Sequence, residues 1–258
     1  MATDRRTKIN KLISQWPRGT VASASYLKEL GISQVLLAWY KRSGWLESYV
    51  RGAYTLAGDK VEWTGALYAL QKHLKMSVHA GGKTALELRG YGHFVPVRQE
   101  VFLYGERSLA LPAWFKKSMK DRDFVYVRTN LFPPGYEDGL SEFKSGEFSV
   151  IISAPERAAM EMLHMVPSDV GFEESSLIME NLAGLRPELV LKLLKACRFV
   201  KVKRLFLYLA EKYSHPWFSR LDLSGLDLGK GKRLIVARGM LDKKYQITVP
   251  RQERDATE

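Results

Sequence analysis

Residue types that often perform catalysis or bind metals are scattered in this sequence. No two histidines have the spacing that places both on one helical turn, and one cysteine cannot build a structural zinc site; the histidines are His73, His79, His93, His164 and His215. No G-x-S-x-G elbow is present, and no histidine can be paired with Cys197 from the sequence. Adjacent carboxylates lie in polar stretches typical of solvated surface: Asp121 with Asp123, and Glu173 with Glu174. The sequence therefore predicts no catalytic residue, no metal ion and no cofactor.

The segment GGKTA matches the end of a phosphate-binding loop at Gly82, Lys83 and Thr84. That motif needs a further glycine five residues before Gly82, where Ser77 stands, and the sequence indicates no buried strand before it. We therefore expect no nucleotide site here. The histidines with the most unusual neighbours are His79, close to the two glycines, and His215, and either could equally be hydrogen-bonded within the fold.

Positive charge is concentrated at the two ends of the chain. The net charge is +12, with 9 basic and 3 acidic residues in positions 1–58, 17 and 18 in positions 59–195, and 14 and 7 in positions 196–258. The ends therefore carry net charges of +6 and +7. Such charge favours an anionic partner, although for each cluster a solubilising surface is an equal alternative.

Length and composition describe an ordinary globular protein. The 258 residues are enough for two domains, and 46% hydrophobic with 26% charged residues allow a sizeable core. The N-terminus has no continuous apolar segment, and no stretch approaches the roughly 20 apolar residues that cross a bilayer. A single cysteine is typical of a reducing compartment. We expect a cytoplasmic protein without a membrane partner.

The first 58 residues have the pattern of a winged helix-turn-helix. Isoleucine and leucine recur at helical spacing before Pro17, and two short helices follow, with Ser23 and Ser33 as candidate N-caps and Gly31 between them. Two helices joined by a three-residue turn that contains glycine form a helix-turn-helix. Alternating apolar and polar residues around Arg51 then predict a two-stranded hairpin, the wing.

The second of these helices is predicted to be the DNA-recognition helix. Leu36, Leu37 and Tyr40 share the packed face, which leaves the other side chains exposed. We expect Ser33 and Gln34 to approach base edges in the major groove, while Lys41, Arg42 and Arg51 contact phosphates or the minor groove; Trp39 is expected to be half-buried in packing, with DNA contact as the alternative. A winged helix that binds protein instead of DNA is also an open alternative.

The remaining residues, 59–258, are predicted to form a larger mixed α+β domain. Amphipathic helices, then short β-branched and aromatic strands from Val101 to Ile152, then further helices and two final strands give this pattern. Lys201, Lys203 and Arg204 are interleaved with aromatic residues, which makes them a candidate second nucleic-acid surface. The alternative is an amphipathic helix with buried aromatic residues and solvated cations.

Several segments, in the same order, resemble the AbiEi antitoxins of type IV toxin-antitoxin and abortive-infection systems. They include YKRSGWLESYVRGAYTLAGDKVEWTGALYALQ, SVHAGGKTALELRGYGHF, SAPERAAMEMLHMVP, VKVKRLFLYLAEKYSHPWF and LDLGKGKR with the closing KYQITVP. The resemblance covers nearly the whole chain.

The resemblance implies a non-enzymatic transcriptional autorepressor that acts in phage defence. Its N-terminal winged helix would bind inverted repeats in its own promoter, and its C-terminal domain would counter a nucleotidyltransferase-like toxin without forming a stable complex. Two alternatives stay open, since the C-terminal domain could act as an RNA-binding or enzymatic module that opposes the toxin at its substrate, or the antitoxin could sequester the toxin directly.

Overall fold

A computed structural model describes residues 2–92, 100–106, 110–119 and 123–251, with side chains from Lys8 onward. The protein has a mixed α+β fold whose chain divides into two compact units. Unit 1 comprises residues 1–79, 105–128 and 142–152, and unit 2 comprises residues 80–104, 129–141 and 153–258. In the described residues, no helix combines the length and apolarity needed to cross a membrane.

The first 56 residues fold into three helices and a small sheet, which we call the N-terminal segment. Its elements are α1 (Ala2–Ser14), β1 (Ala22–Ser23), α2 (Ala24–Glu29), α3 (Gln34–Arg42), β2 (Leu46–Val50) and β3 (Ala53–Leu56). Strand β3 pairs antiparallel with both β1 and β2, so the sheet order is β1-β3-β2. The three helices and the β2–β3 hairpin occur in the order that the sequence predicts, and β1 is a further strand that was not predicted.

Local sequence signals explain where these elements begin and end. The hydroxyls of Ser23 and Ser33 accept hydrogen bonds from the backbone N–H groups three residues later, so both are the N-caps that the sequence predicts. Gly31 has a φ of +77°, a left-handed conformation that glycine adopts without strain, in the turn between α2 and α3. Gly52 has a φ of +92° in the hairpin turn between β2 and β3.

The N-terminal segment has its own hydrophobic core, made by all of its helices and strands. The buried members are Ile9, Leu12, Trp16, Ala22, Leu27, Ile32, Leu37, Tyr40, Leu46 and Leu56. Trp39 is half-buried against this core, which agrees with the packing role expected for it. Tyr26, Leu27 and Leu30 have helical spacing, which predicts an apolar stripe on α2, but Leu30 lies at the end of the helix and is 45% exposed.

A five-stranded sheet follows, in the order β6-β5-β4-β8-β7. The strands are β4 (Val78–Ala80), β5 (Val101–Gly105), β6 (Phe124–Arg128), β7 (Leu140–Ser145) and β8 (Phe148–Ser153). Helix α4 (Trp63–Tyr68) continues into a π-helical turn that carries Gln71, and α6 (Ala113–Ser118) also belongs to unit 1. The Gln71 amide donates to Val78 O and Ile151 O and accepts from Ile151 N, at 2.7–2.9 Å. These three hydrogen bonds join the π-helical turn to β4 and β8.

Unit 2 is mainly helical. Its helices are α5 (Gly82–Leu88), α7 (Pro155–His164), α8 (Phe172–Glu180), α9 (Pro187–Ala196) and α10 (Val200–Lys212), followed by a three-stranded sheet of β9 (Arg233–Leu234), β10 (Met240–Asp242) and β11 (Ile247–Val249). Helix α7 packs against the other four helices and is buried along most of its length. Strand β11 pairs antiparallel with β10 and parallel with β9.

Two details of the predicted organisation are wrong. A short buried strand, β4, does precede the GGKTA segment, and a three-residue strand is too short to show in a hydropathy pattern. Ser153 is a typical N-cap residue directly before APERAAMEMLH, which predicts it as the cap of α7, but Ala154 holds that position. The Ser153 hydroxyl donates instead to Glu161 at 2.6 Å. Ser153 is the last residue of β8, and its bond to Glu161, eight residues further along, is not one that propensity rules for caps consider.

Candidate nucleic-acid interface

Helix α3 has an inner and an outer face, as its spacing predicts. Leu37 and Tyr40 are buried, and Leu36 is half-buried against the same core. The exposed side chains, which we call the α3 outer face, are Gln34, Val35, Ala38, Lys41 and Arg42. A helix with one packed and one solvated face can present the solvated one to a groove of DNA.

Ser33 stands at the beginning of this helix and has a structural role. Its hydroxyl oxygen accepts the N–H of Leu36 at 3.2 Å, which satisfies one of the unpaired backbone donors of the first turn. Ser33 is nevertheless exposed, and its hydroxyl proton is left to donate. The cap therefore orients the hydroxyl and leaves a donor directed at solvent.

A concave surface lies between α2 and α3. It has a volume of about 740 Å³, and the polar or small side chains along it include Ser25, Lys28, Ser33, Gln34, Ala38 and Lys41. The Lys41 ammonium also lies 5.9 Å from the centre of the Tyr54 ring, on strand β3. Sequence reasoning missed Ser25 and Lys28. Their helical spacing around the buried Leu27 places them on the outside of α2, which was a readable signal.

Arg51 lies at the tip of the predicted wing. It stands between β2 and β3 beside Gly52, and it is exposed. Arg42 is exposed at the end of α3, and neither arginine lines the concave surface. The structure thus brings Ser33, Gln34 and Lys41 together and holds the two arginines on separate exposed sites of the same segment.

Four exposed cations of this segment, on α2, α3 and the hairpin turn, form no ion pair with a carboxylate among the described residues. They are Lys28, Lys41, Arg42 and Arg51. One nearby carboxylate, that of Asp59, does form an ion pair and is 6% exposed. It accepts hydrogen bonds from Arg18 at 2.7 Å and from the N–H of Gly19 at 2.8 Å, in the segment that leads into β1. Unpaired cations on an exposed helix and hairpin favour an anionic partner.

Comparison with known families covers almost the whole chain. A model described as "Transcriptional regulator, AbiEi antitoxin N-terminal domain" matches residues 5–97, and one described as "Transcriptional regulator, AbiEi antitoxin, Type IV TA system" matches residues 98–250. This chain belongs to the AbiEi antitoxin family. It is a transcriptional regulator of a type IV toxin-antitoxin system.

One solved structure supports the fold of this AbiEi chain. The RV2827C protein from Mycobacterium tuberculosis matches with a TM-score of 0.56 and 15% sequence identity, over 93% of this chain and 88% of that chain. At that identity the likeness concerns the fold alone. A comparison with curated proteins finds no match.

The cations of α10 in this AbiEi chain do not form the second surface considered from the sequence. Lys203 and Arg204 are 7% and 4% exposed, and Lys201 is half-buried. Lys201 donates to Val166 O and Lys203 to Asp227 O. Arg204 donates to the carbonyls of residues 228, 229, 231 and 246. Both sequence alternatives placed these cations at the surface, and that placement is corrected because backbone carbonyls from distant segments bind them. The buried Phe206 agrees with the other part of the second alternative, an amphipathic helix with aromatic residues in the core.

The GGKTA segment of the AbiEi chain is organised around a buried carboxylate. Glu161 accepts hydrogen bonds from Gly82 N at 3.1 Å, Ser153 Oγ at 2.6 Å and Arg157 Nε at 2.9 Å. A Cβ on Gly81 would lie 2.1 Å from Glu161 Oε2, so the close approach requires glycine there. The Glu161 carboxylate therefore accepts the N–H of Gly82, a backbone donor that a bound phosphate would need.

The lysine of the same segment is also engaged. Lys83 forms an ion pair with Glu174 and lies 3.8 Å from Glu87. A lysine that reaches phosphate in a nucleotide-binding loop must be free to do so. The arrangement agrees with the expectation of no nucleotide site, although the supposed lack of a preceding strand is not the reason.

The remaining special residues are built into the fold. His215 is buried, its Nε2 lies 2.8 Å from Met179 O, and its ring stacks on Trp217. Cys197 is buried, and burial raises the pKa of its thiol to about 11. His79 is buried at the end of unit 1, while His93 and Asp121 lie outside the described residues. Among the described residues, no three potential ligands are grouped to hold a metal ion.

Proposed function

We propose that this AbiEi chain is an autorepressor that binds inverted repeats of double-stranded DNA in the promoter of its own operon. Residues 1–58 supply the DNA-binding module, and residues 59–258 supply the antitoxin domain. Helix α3 enters the major groove with Ser33 and Gln34 towards the bases. Lys41, Arg42 and Arg51 contact the phosphates or the minor groove.

The observation that carries this proposal is the α3 outer face beside an exposed hairpin cation. Gln34 is exposed in the first turn of a helix whose opposite face is buried, and Lys41 and Arg42 follow in the last turn. Arg51 stands at the hairpin turn of the adjacent β2–β3 ribbon. A helix of this kind fits the major groove, and a neighbouring wing can reach the backbone.

Titration of the DNA upstream of the gene tests this function. Footprinting should protect two inverted half-sites, and the logarithm of the affinity should fall linearly with the logarithm of salt concentration. Lys41→Ala or Arg42→Ala should weaken binding and reduce the salt slope by about 0.9 for each phosphate that the variant no longer neutralises. Lys72→Ala, which removes an exposed cation of the π-helical turn, should leave the slope unchanged. Undetectable or salt-independent binding would contradict the proposal.

We further propose that the antitoxin counters a nucleotidyltransferase-like toxin without a stable complex between them. The family relationship is the support for this step. Purification of the two proteins together as a stable complex would instead favour direct sequestration. An RNA-binding role of Lys201, Lys203 and Arg204 loses its motivation, because backbone carbonyls already bind these cations.

A further inference from the structure

The α3 outer face changes in character along the helix. Each residue turns the helix by about 100°, so Gln34, Val35 and Ala38 lie together on the side opposite Tyr40. The cations of this face are confined to the last turn. The first half of the face therefore offers one amide and two apolar side chains, and no charge.

Val35 is the most exposed large apolar side chain of the N-terminal segment, at 77%. A lone exposed apolar residue is common and carries no meaning by itself. Here it is held between Gln34 and the exposed Ala38, in the part of the helix that would approach base edges. Because valine strongly prefers one rotamer in a helix, little conformational freedom is given up when it packs against a base.

The four bases offer different groups in the major groove. Guanine is read by arginine or lysine and cytosine by a carboxylate, whereas adenine is read by glutamine or asparagine and the thymine methyl by apolar side chains. Of these readers, the first half of the α3 outer face provides only the amide of Gln34 and the apolar groups of Val35 and Ala38.

We infer that α3 reads an A·T-containing step in each half-site, with Val35 packed on the 5-methyl group of a thymine and Gln34 bonded to an adenine. This inference rests on the proposed function. It assigns a specificity role to Val35, which has no charge and no hydrogen-bonding group, and it makes the thymine methyl the recognised feature.

Replacement of thymine by deoxyuridine tests the inference, because it removes the methyl group and leaves base pairing unchanged. In the full-length protein on the footprinted operator, one substituted thymine in one half-site should weaken binding to that half-site by about three- to five-fold, the effect expected for one buried methyl group. Val35→Ala should bind the thymine operator more weakly and lose most of the sensitivity to deoxyuridine. Alanine is the better helix former, so the variant should fold, which circular dichroism checks.

Leu30→Ala is the matched control, since Leu30 is another exposed apolar residue, at the C-terminal end of α2. It should keep the wild-type response to deoxyuridine. Equal binding of all deoxyuridine operators, or an unchanged response in Val35→Ala, would overturn the inference while footprint and salt dependence still supported DNA binding. A change of oligomeric state in Val35→Ala without a change in base preference would make Val35 a protein contact and overturn it. Absence of any footprint would instead remove the proposed function itself.

Discussion

At the scale of single residues, the guanidinium of Arg204 joins distant segments of the chain through hydrogen bonds. It donates to four carbonyls that lie 24 to 42 residues further along the chain, at distances up to 3.2 Å. Burying an arginine that is bonded only to carbonyls costs desolvation free energy, and the four hydrogen bonds offset that cost. Arg204 therefore joins α10 to the glycine-containing loop before β9.

Arg204→Met should destabilise the protein by about 2 kcal/mol, because the hydrogen bonds of a charged donor that join α10 to a distant loop are lost. Urea unfolding followed by circular dichroism measures this loss. Lys230→Met, which alters an exposed cation of the loop itself, should change stability by less than about 0.5 kcal/mol. Similar stability of the two variants would show that Arg204 is not a structural residue.

At the scale of elements, an ion pair joins α7 to the segment that leads into α9. The Glu156 carboxylate is 3% exposed and accepts from the side chain of Arg186 at 2.9 and 3.0 Å and from its backbone N–H at 3.0 Å. Burial acts to raise the pKa of Glu156, but these hydrogen bonds and the charge of Arg186 outweigh burial and lower it. The bonded carboxylate therefore favours the folded state wherever it is ionised.

A lowered pKa in the folded state gives this pair a defined pH dependence. Its stabilisation is present above the pKa of an unfolded glutamate, about 4.3, and is lost as pH falls through the lower folded value. Glu156→Gln should cost about 1–2 kcal/mol at pH 7, less than for a fully buried pair, because Arg186 is 63% exposed and can return to water.

Chemical unfolding of Glu156→Gln between pH 7 and pH 3 provides the measurement. The difference from wild type should shrink as the pH falls below about 4. Glu188→Gln, an exposed carboxylate at the beginning of α9, should follow wild type throughout. A difference that stays constant with pH would contradict the role of the ionised carboxylate.

At the scale of the whole molecule, unit 1 is assembled from three separate parts of the chain. Gln71 bonds to Ile151, the hydroxyl of Thr64 lies 2.8 Å from that of Ser145, and the ring of Tyr68 packs edge-on against Phe148. The two family models meet at residues 97 and 98, before these partners occur in the chain.

A fragment of residues 1–97 should consequently be less stable than unit 1 is in the intact chain. It lacks residues 142–152, so the backbone and side-chain partners of α4 and its π-helical turn are missing. Hydrogen exchange should show weaker protection of residues 63–80 in this fragment than in the full chain. A fragment of residues 1–152 keeps every part of unit 1 and should restore the protection. Equal protection in the shorter fragment would show that residues 142–152 are dispensable.

The sequence alone determined the features that depend on contacts between residues close together in the chain. Ser23, Ser33 and Gly31 act within three or four residues, and the spacing of Leu37 and Tyr40 identifies the buried face of α3 without any knowledge of the fold. The basic N-terminal charge and the mixed α+β pattern are equally properties of the chain itself.

Only the tertiary structure decided whether the polar residues further along the chain are buried or exposed to solvent. Glu161 bonds to Gly82 across 79 positions, and Arg204 bonds to carbonyls up to 42 positions away. From the sequence alone, a charged side chain that faces water cannot be distinguished from one that bonds to a distant carbonyl. Only the folded chain shows which of these two environments the side chain has. The hydrogen bonds that offset the free-energy cost of burying a charge come from distant partners, which the local sequence pattern does not specify.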